Sequence, residues 1–231
     1  MPLPVPLDGR DDVPRPEYPR PQLVRREWAN LNGTWEFAFD DDDRGLAEAW
    51  YEPGRGGFDR TIRVPFPYQS PASGVGDRSP HPVVWYRRAF KVPADWRGRQ
   101  VWLRVGAADY ATRVWLNGRE VGRHEGGYVP FGLDLTPYLS PGTNHLVLRV
   151  EDPDHLSQPR GKQSGWRENR GCWYTRVSGV WQTVWLEPLH PLHLQAVRLW
   201  PDLDEERLHV EVQLSRWAEG LRLRAIATAP G

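Results

Sequence analysis

With 231 residues, 39% of them hydrophobic, the chain can hold one large all-β domain or one domain and part of another, with a core that needs neither disulfides nor metal. Lys and Arg number 30, Asp and Glu also 30, and the cations are scattered, with Lys91 and Lys162 the sole lysines. A net charge of zero argues against nucleic acid or an anionic membrane as the main partner, because both select a basic excess.

Residues 1 to 24 contain seven prolines and little periodicity, so they are read as an extended arm. Met1 to Asp12 lacks the charged end and apolar run of a signal peptide. No segment approaches the roughly 18 continuous apolar residues of a membrane span. The single Cys172 suits a reducing compartment, so a cytoplasmic protein is expected, and the acceptor triplet Asn32-Gly33-Thr34 is read as chance.

Beyond the arm, short alternating segments are separated by Gly, Pro, Asn and Asp. Gly33 to Phe39 puts Trp35, Phe37 and Phe39 on one face of a strand. Asp40 to Asp43 reads as a solvated turn, and Leu46 to Tyr51 as at most a turn of helix. Val83 to Val92 and Gln100 to Val105 are further strands. Thr112 to Val121 is a hairpin around Asn117-Gly118, the pair suited to a turn with two positive φ angles. Phe131 to Leu135, His145 to Val150 and Val180 to Leu186 complete the set. Many short strands with long connections imply a jelly-roll sandwich. Leu192 to Trp200, Arg207 to Leu214 and Leu221 to Ala227 read as three opening strands of a second β domain, too few to close a sandwich.

Several chemistries fail on their motifs. Gly161-Lys162-Gln163-Ser164 lacks the first glycine of a phosphate loop, at Leu156, and its Ser is displaced by one. Gly74-Val75-Gly76 has Ser79 where a dinucleotide fingerprint needs glycine. The seven histidines show no zinc spacing, and no nucleophile elbow occurs, so no metal and no cofactor are expected. Glu125 and Glu168 lie in Gly-rich segments, but nothing in the sequence sets them across one bond as a glycosidase pair. No catalytic residue is assigned within this chain. The thirteen tryptophans have two readings, core filling and stacking against the C–H face of a sugar, with most assigned to the core.

The residues then show a family likeness. Arg20-Pro21-Gln22-Leu23-Val24-Arg25, Trp28 and Leu31-Asn32-Gly33-Thr34-Trp35 resemble the opening of glycoside hydrolase family 2 enzymes. Val64-Pro65-Phe66-Pro67 and Trp85-Tyr86-Arg87-Arg88-Ala89-Phe90 continue the resemblance. The densest blocks are Asp109-Tyr110-Ala111, Val114-Trp115-Leu116-Asn117-Gly118 and His124-Glu125-Gly126-Gly127-Tyr128-Val129-Pro130-Phe131. The stretch Trp173 to Glu187, with Val177-Ser178-Gly179-Val180-Trp181, resembles the junction into the family's second domain.

The resemblance implies a jelly-roll (galactose-binding-like) β-sandwich over 25–189, after the arm at 1–24. An incomplete immunoglobulin-like β-sandwich follows over 190–231. In the family a (β/α)₈ barrel carries the acid/base and nucleophile glutamates of a retaining glycosidase. No βα repeats follow residue 190, so the barrel is a missing partner and the chain alone is expected to be inactive. The implied ligand is a β-linked glycoside. Trp173 stands where β-galactosidases and β-glucuronidases resemble each other in placing an aspartate, so neither substrate is assumed.

Asp109 matches a position with a sugar-contacting polar residue in β-galactosidases, and also reads as a turn-capping aspartate. Trp173 and Tyr174 are a stacking wall or core. The long segment Asp152 to Arg170 reads as a functional loop in which Arg160, Lys162 and Gln163 offer donors to hydroxyls. The block around Gly126-Gly127 reads as a fixed turn. An autonomous carbohydrate-binding module and an interaction sandwich without a sugar site are the alternatives, and self-association is left open.

Overall fold

A computed structural model describes residues 13–154, 157–226 and 228. The chain divides after Pro188 into two compact units. The first carries β1 (Ala29–Asn30), β2 (Gly33–Phe39), β3 (Arg60–Val64), β4 (Val83–Lys91), β5 (Gln100–Val105), β6 (Ala108–Asp109) and β7 (Ala111–Leu116). It continues with β8 (Arg119–Glu125), β9 (Phe131–Asp134), β10 (Thr143–Glu151), β11 (Gln163–Ser164), β12 (Tyr174–Thr175), β13 (Gly179–Val180) and β14 (Val184–Leu189).

Two sheets face each other. One has the order β3-β2-β4-β10-β7-β8, the other β1-β14-β5-β9, so neighbours in space are often distant in sequence. The alternation of apolar residues explains the sandwich, because each strand turns one face inward. Trp35 and Phe37 of β2, Tyr86 and Phe90 of β4 and Leu146 and Leu148 of β10 meet Val101, Leu103 and Leu186 from the smaller sheet. Each such side chain contributes about 1.5–3 kcal/mol by leaving water. The expected all-β sandwich is the fold. The Asn117-Gly118 hairpin forms as predicted, with φ of 53° and 79° and Leu116 opposite Arg119. Strand β3 and the two-residue strands have too little alternation to be read from sequence.

The outer face of the larger sheet carries a second apolar cluster. Ala38, Trp85, Trp115 and Val147 are covered by Trp50, with Leu46, Tyr51 and Phe58 beside them. The acidic turn that precedes this cover departs from its expected solvated character at Asp40, which is buried. Asp40 accepts hydrogen bonds from the Arg44 and Gly45 amides at 2.8 and 2.9 Å and from Trp85 Nε1 at 2.9 Å. Asp43 pairs with Arg149 at 2.7 Å.

Residues 13–24 of the expected arm are held on the first unit, while residues 1–12 lie outside the described residues. The amides of Asn30 and Asn32 donate to the carbonyls of Arg15 and Pro14, both at 3.0 Å. Tyr18 donates its hydroxyl to the fully buried Glu187 at 2.6 Å. Burial, then the Glu187 hydrogen bond and charge, push the Tyr18 hydroxyl well above its ordinary pKa, so it stays a donor.

The second unit is an antiparallel pair, β15 (Leu194–Asp202) and β16 (Arg207–Leu214). The third strand expected over Leu221 to Ala227 is not formed at residues 221–226, and Ala227 lies outside the described residues. A strand needs a ladder partner, and residues 221–226 pair with neither edge of the hairpin. Leu199, Leu208 and Leu223 are exposed.

Candidate functional site

The site is built where β6 meets β13. Gly179 lies opposite Asp109 and Val180 opposite Ala108. Gly179 is required there, since a Cβ would fall 2.0 Å from the Tyr86 hydroxyl and the residue has a φ of 79°. Tyr86 in turn accepts the Val180 amide at 3.2 Å, which ties the short strand to the core. The Asp109–Tyr110 peptide bond is cis.

Asp109 is 1% exposed. Its Oδ2 accepts from Gln163 Nε2 at 2.8 Å, while Oδ1 has no hydrogen-bond partner among the described residues. The carboxylate lies under Gly127, where a Cβ would sit 2.3 Å from Oδ1. Burial raises its pKa to about 6; the Gln163 hydrogen bond and the charges of Arg176 and Arg160 oppose that rise, and Asp152 adds to it.

Gln163 organises the neighbourhood. Its Nε2 also donates to Tyr128 Oη at 2.8 Å, and its Oε1 accepts the Val177 amide at 2.7 Å. Tyr128 donates its own hydroxyl to the Arg160 carbonyl at 2.9 Å. Its ring packs edge-on against Trp181 at 5.8 Å, and Trp181 Nε1 donates to the Gly127 carbonyl at 2.7 Å. A methyl on Gly161 would stand 3.4 Å from the Tyr174 hydroxyl and 3.5 Å from that of Tyr128, so both hydroxyls converge on one glycine. Burial raises the Tyr128 pKa, Gln163 opposes it and Tyr174 adds to it.

Below this chain lies an ionic support. Arg176 meets Asp152 at 2.9 Å and Asp154 at 2.8 Å, and the buried Asp152 also accepts from Gln158 and from the Ser178 hydroxyl. Arg160 is drawn into the same group, with Asp154 at 3.4 Å and the Pro153 carbonyl as partners. Its guanidinium is therefore a brace rather than a donor offered outward.

The structure thus brings Asp109, Gln163 and Tyr174 together and turns the Arg160 guanidinium toward Asp154 and the Pro153 carbonyl. The Lys162 carbonyl accepts the Tyr174 amide at 3.1 Å, and its side chain is exposed. Of the two aromatic readings, core packing fails: Trp173 is 45% exposed and Tyr174 38%. Trp173 ends a tight turn in which it exchanges backbone hydrogen bonds with Arg170, both 3.0 Å. Trp166 is also exposed, with the Arg170 guanidinium over its ring at 5.4 Å. Seven of the thirteen tryptophans are buried. Among the described residues the Asp109 carboxylate accepts from Gln163, 54 residues away, and from no neighbouring backbone amide, which is not the pattern of a turn cap.

Sequence reasoning missed Tyr128 and Trp181 as members of this surface. The available signal was the adjacent Gly126-Gly127, because a glycine can mark a close approach as well as a turn, here of Gly127 to Asp109. Glu125 ends β8 and Glu168 lies on the 165–173 loop; both are exposed.

Comparison with known proteins follows the same outline. The family model described as "Glycosyl hydrolases family 2, sugar binding domain" matches residues 28–188. A β-glucuronidase of Paenibacillus borealis is 36% identical over 135 residues, covering 58% of this chain and 22% of that protein. A β-galactosidase of Thermoanaerobacter pseudethanolicus is 32% identical over 117 residues, covering 50% of this chain and 15% of its own length. The chain therefore spans about a fifth or less of these two relatives. Among solved structures, a β-glucuronidase from Ruminococcus gnavus in complex with uronic deoxynojirimycin superposes with a TM-score of 0.68 over 84% of this chain and 35% of that one. At 21% identity that likeness speaks for the fold alone. By its match over 28–188, the chain belongs to glycosyl hydrolase family 2, through that family's sugar-binding domain.

Proposed function

We propose that this chain is the carbohydrate-binding front part of a retaining glycosidase of β-glycosides, working with a catalytic (β/α)₈ barrel that residues 1–231 do not supply. The observation that carries the reading is the exposed pair Trp173 and Tyr174, set beside the Asp109–Gln163–Tyr128 hydrogen-bond chain. Exposed rings offer a face for sugar C–H groups, and the tyrosine hydroxyls offer polar edges. Lys162 adds a charged donor from the same loop. Asp109, Gln163 and Arg160 act from beneath, by fixing where Tyr128 and the loop stand. Relatives that are glycosidases support the class. The exposed lone Cys172 is in keeping with a reducing, cytoplasmic setting.

Titration of the chain with β-linked oligosaccharides, read by tryptophan fluorescence, tests this. Saturation is expected only near millimolar ligand, because half a site buries little of a sugar. Trp173→Ala is expected to abolish the response while the fold stays intact. The chain alone is expected to leave nitrophenyl β-glycosides uncleaved. A response that survives both Trp173→Ala and Tyr174→Ala would remove this surface from the binding role.

A further inference from the structure

A separate cleft of about 430 Å³ runs between residues 15–22 of the arm and the outer face of β5 and β9. Its charged lining is uneven. Among the described residues Arg15, Arg20 and Arg104 contribute guanidinium groups, Glu17 is the one lining carboxylate, and Glu187 lies buried beside it. Glu187 is already well supplied with donors. Oε1 accepts from Tyr18 at 2.6 Å and Trp185 Nε1 at 2.8 Å, and Oε2 accepts from Arg104 Nε at 3.2 Å. Arg20 stands 3.9 Å away, beyond hydrogen-bond reach.

Arg104 is held in one attitude. Its guanidinium lies 4.8 Å from the Trp102 ring, and only a glycine at 132 leaves room for it, since a Cβ there would fall 2.2 Å from Nη1. With Nε committed to Glu187, the Nη1 and Nη2 nitrogens hold no hydrogen bond among the described residues. A planar fork fixed in this way presents two donors to an incoming oxyanion without further ordering. Gln22 and Gln182 add amide groups to the lining, and Tyr128 adds an exposed ring. Three guanidinium groups against two carboxylates leave one unit of positive charge, which matches a monoanion better than a phosphate dianion. The ring and the amides match a hydroxylated body.

We infer that this cleft binds the carboxylate of an acidic saccharide, with Arg104 and Arg20 on the carboxylate and Tyr128 against the sugar ring. Neither Trp173 nor Tyr174 lines this cleft, and Tyr128 borders both it and the aromatic surface.

Calorimetric titration of the full chain tests the assignment with three probes: a uronic-acid-terminated disaccharide, the same disaccharide with its carboxyl group reduced, and inorganic phosphate. The acidic sugar is expected to bind about tenfold or more tighter than the neutral one, and more weakly as salt rises. Arg104→Lys keeps the charge and loses the fork, and should weaken the acidic sugar about tenfold. Arg15→Gln, at an exposed arm residue not bonded to Glu187, should weaken it about threefold with an unchanged melting temperature. Trp173→Ala should leave this binding intact, which separates the cleft from the aromatic surface. Equal affinity for the acidic and neutral sugars overturns the proposal. So does phosphate binding as tightly as the uronate, or a stably folded Arg15→Gln chain with unaltered affinity.

Discussion

Asp40 and Asp109 occupy opposite conditions at two places that look alike. Each is a buried aspartate beneath a glycine: a Cβ on Gly45 would lie 2.8 Å from Asp40 Oδ2, and one on Gly127 would lie 2.3 Å from Asp109 Oδ1. At Asp40 the covering glycine itself donates its amide, joined by the Arg44 amide and Trp85 Nε1, so both oxygens are used. At Asp109 the covering glycine donates nothing to the carboxylate, Gln163 serves Oδ2, and Oδ1 is unmet. A satisfied buried carboxylate holds a fold together, whereas a half-satisfied one is held in place by the fold around it. The first organises a turn and its apolar cover. The second sits under the surface proposed to meet sugar.

The sharpest way to break this contrast is to remove each carboxylate. Asp40→Ala leaves two amides and an indole N–H without their acceptor and should destabilise the chain by about 4 kcal/mol in urea unfolding. Asp109→Asn is expected to act with the opposite sign near neutral pH. A carboxyl whose folded pKa of about 6 lies above its unfolded value binds more protons when folded, so stability is full below the unfolded pKa. It falls as pH rises through the window up to about 6. Asp109→Asn should remove that slope and gain on the order of 3 kcal/mol at pH 8, with almost no gain at about pH 3. Loss of stability at pH 8 in both variants would make the two sites equivalent.

Smaller changes sharpen the same comparison. Gly127→Ala drives a methyl into the Asp109 carboxylate, and about 2 kcal/mol of destabilisation is expected from thermal melts. Combining it with Asp109→Ala should recover part of that loss, since the clash partner is gone. Smallest is Trp173→Ala, at a half-exposed ring in a turn, where the stability change should stay within about 0.5 kcal/mol while the sugar response disappears. A large stability loss there would mean that Trp173 packs rather than binds.

Much of the scaffold was legible because its signals are local. The period-two alternation of Gly33 to Phe39 and Gln100 to Val105 reproduces β2 and β5 to the residue. The Asn-Gly pair marks the hairpin through the φ angles it tolerates. The site was legible only as a list. Asp109, Gln163 and Tyr174 were named and lie together in the structure, while Arg160 contacts Asp154 and Tyr128 was read as part of a turn. Arg160 carries the same side chain whether it faces Asp154 or solvent, and nothing near it in sequence distinguishes the two.

The sequence by itself determined the all-β class, most of the strands, the hairpin and the family to which residues 28–188 belong. These rest on neighbours a few positions apart and on blocks in fixed order. Only the tertiary structure decided which buried carboxylate is satisfied, that Tyr18 reaches Glu187 across 169 residues, and that Trp173 and Tyr174 stand outside the core. Such outcomes depend on which donors arrive from distant strands. A carboxylate's hydrogen bonds form over about 3 Å in space, and chain order carries no record of that distance.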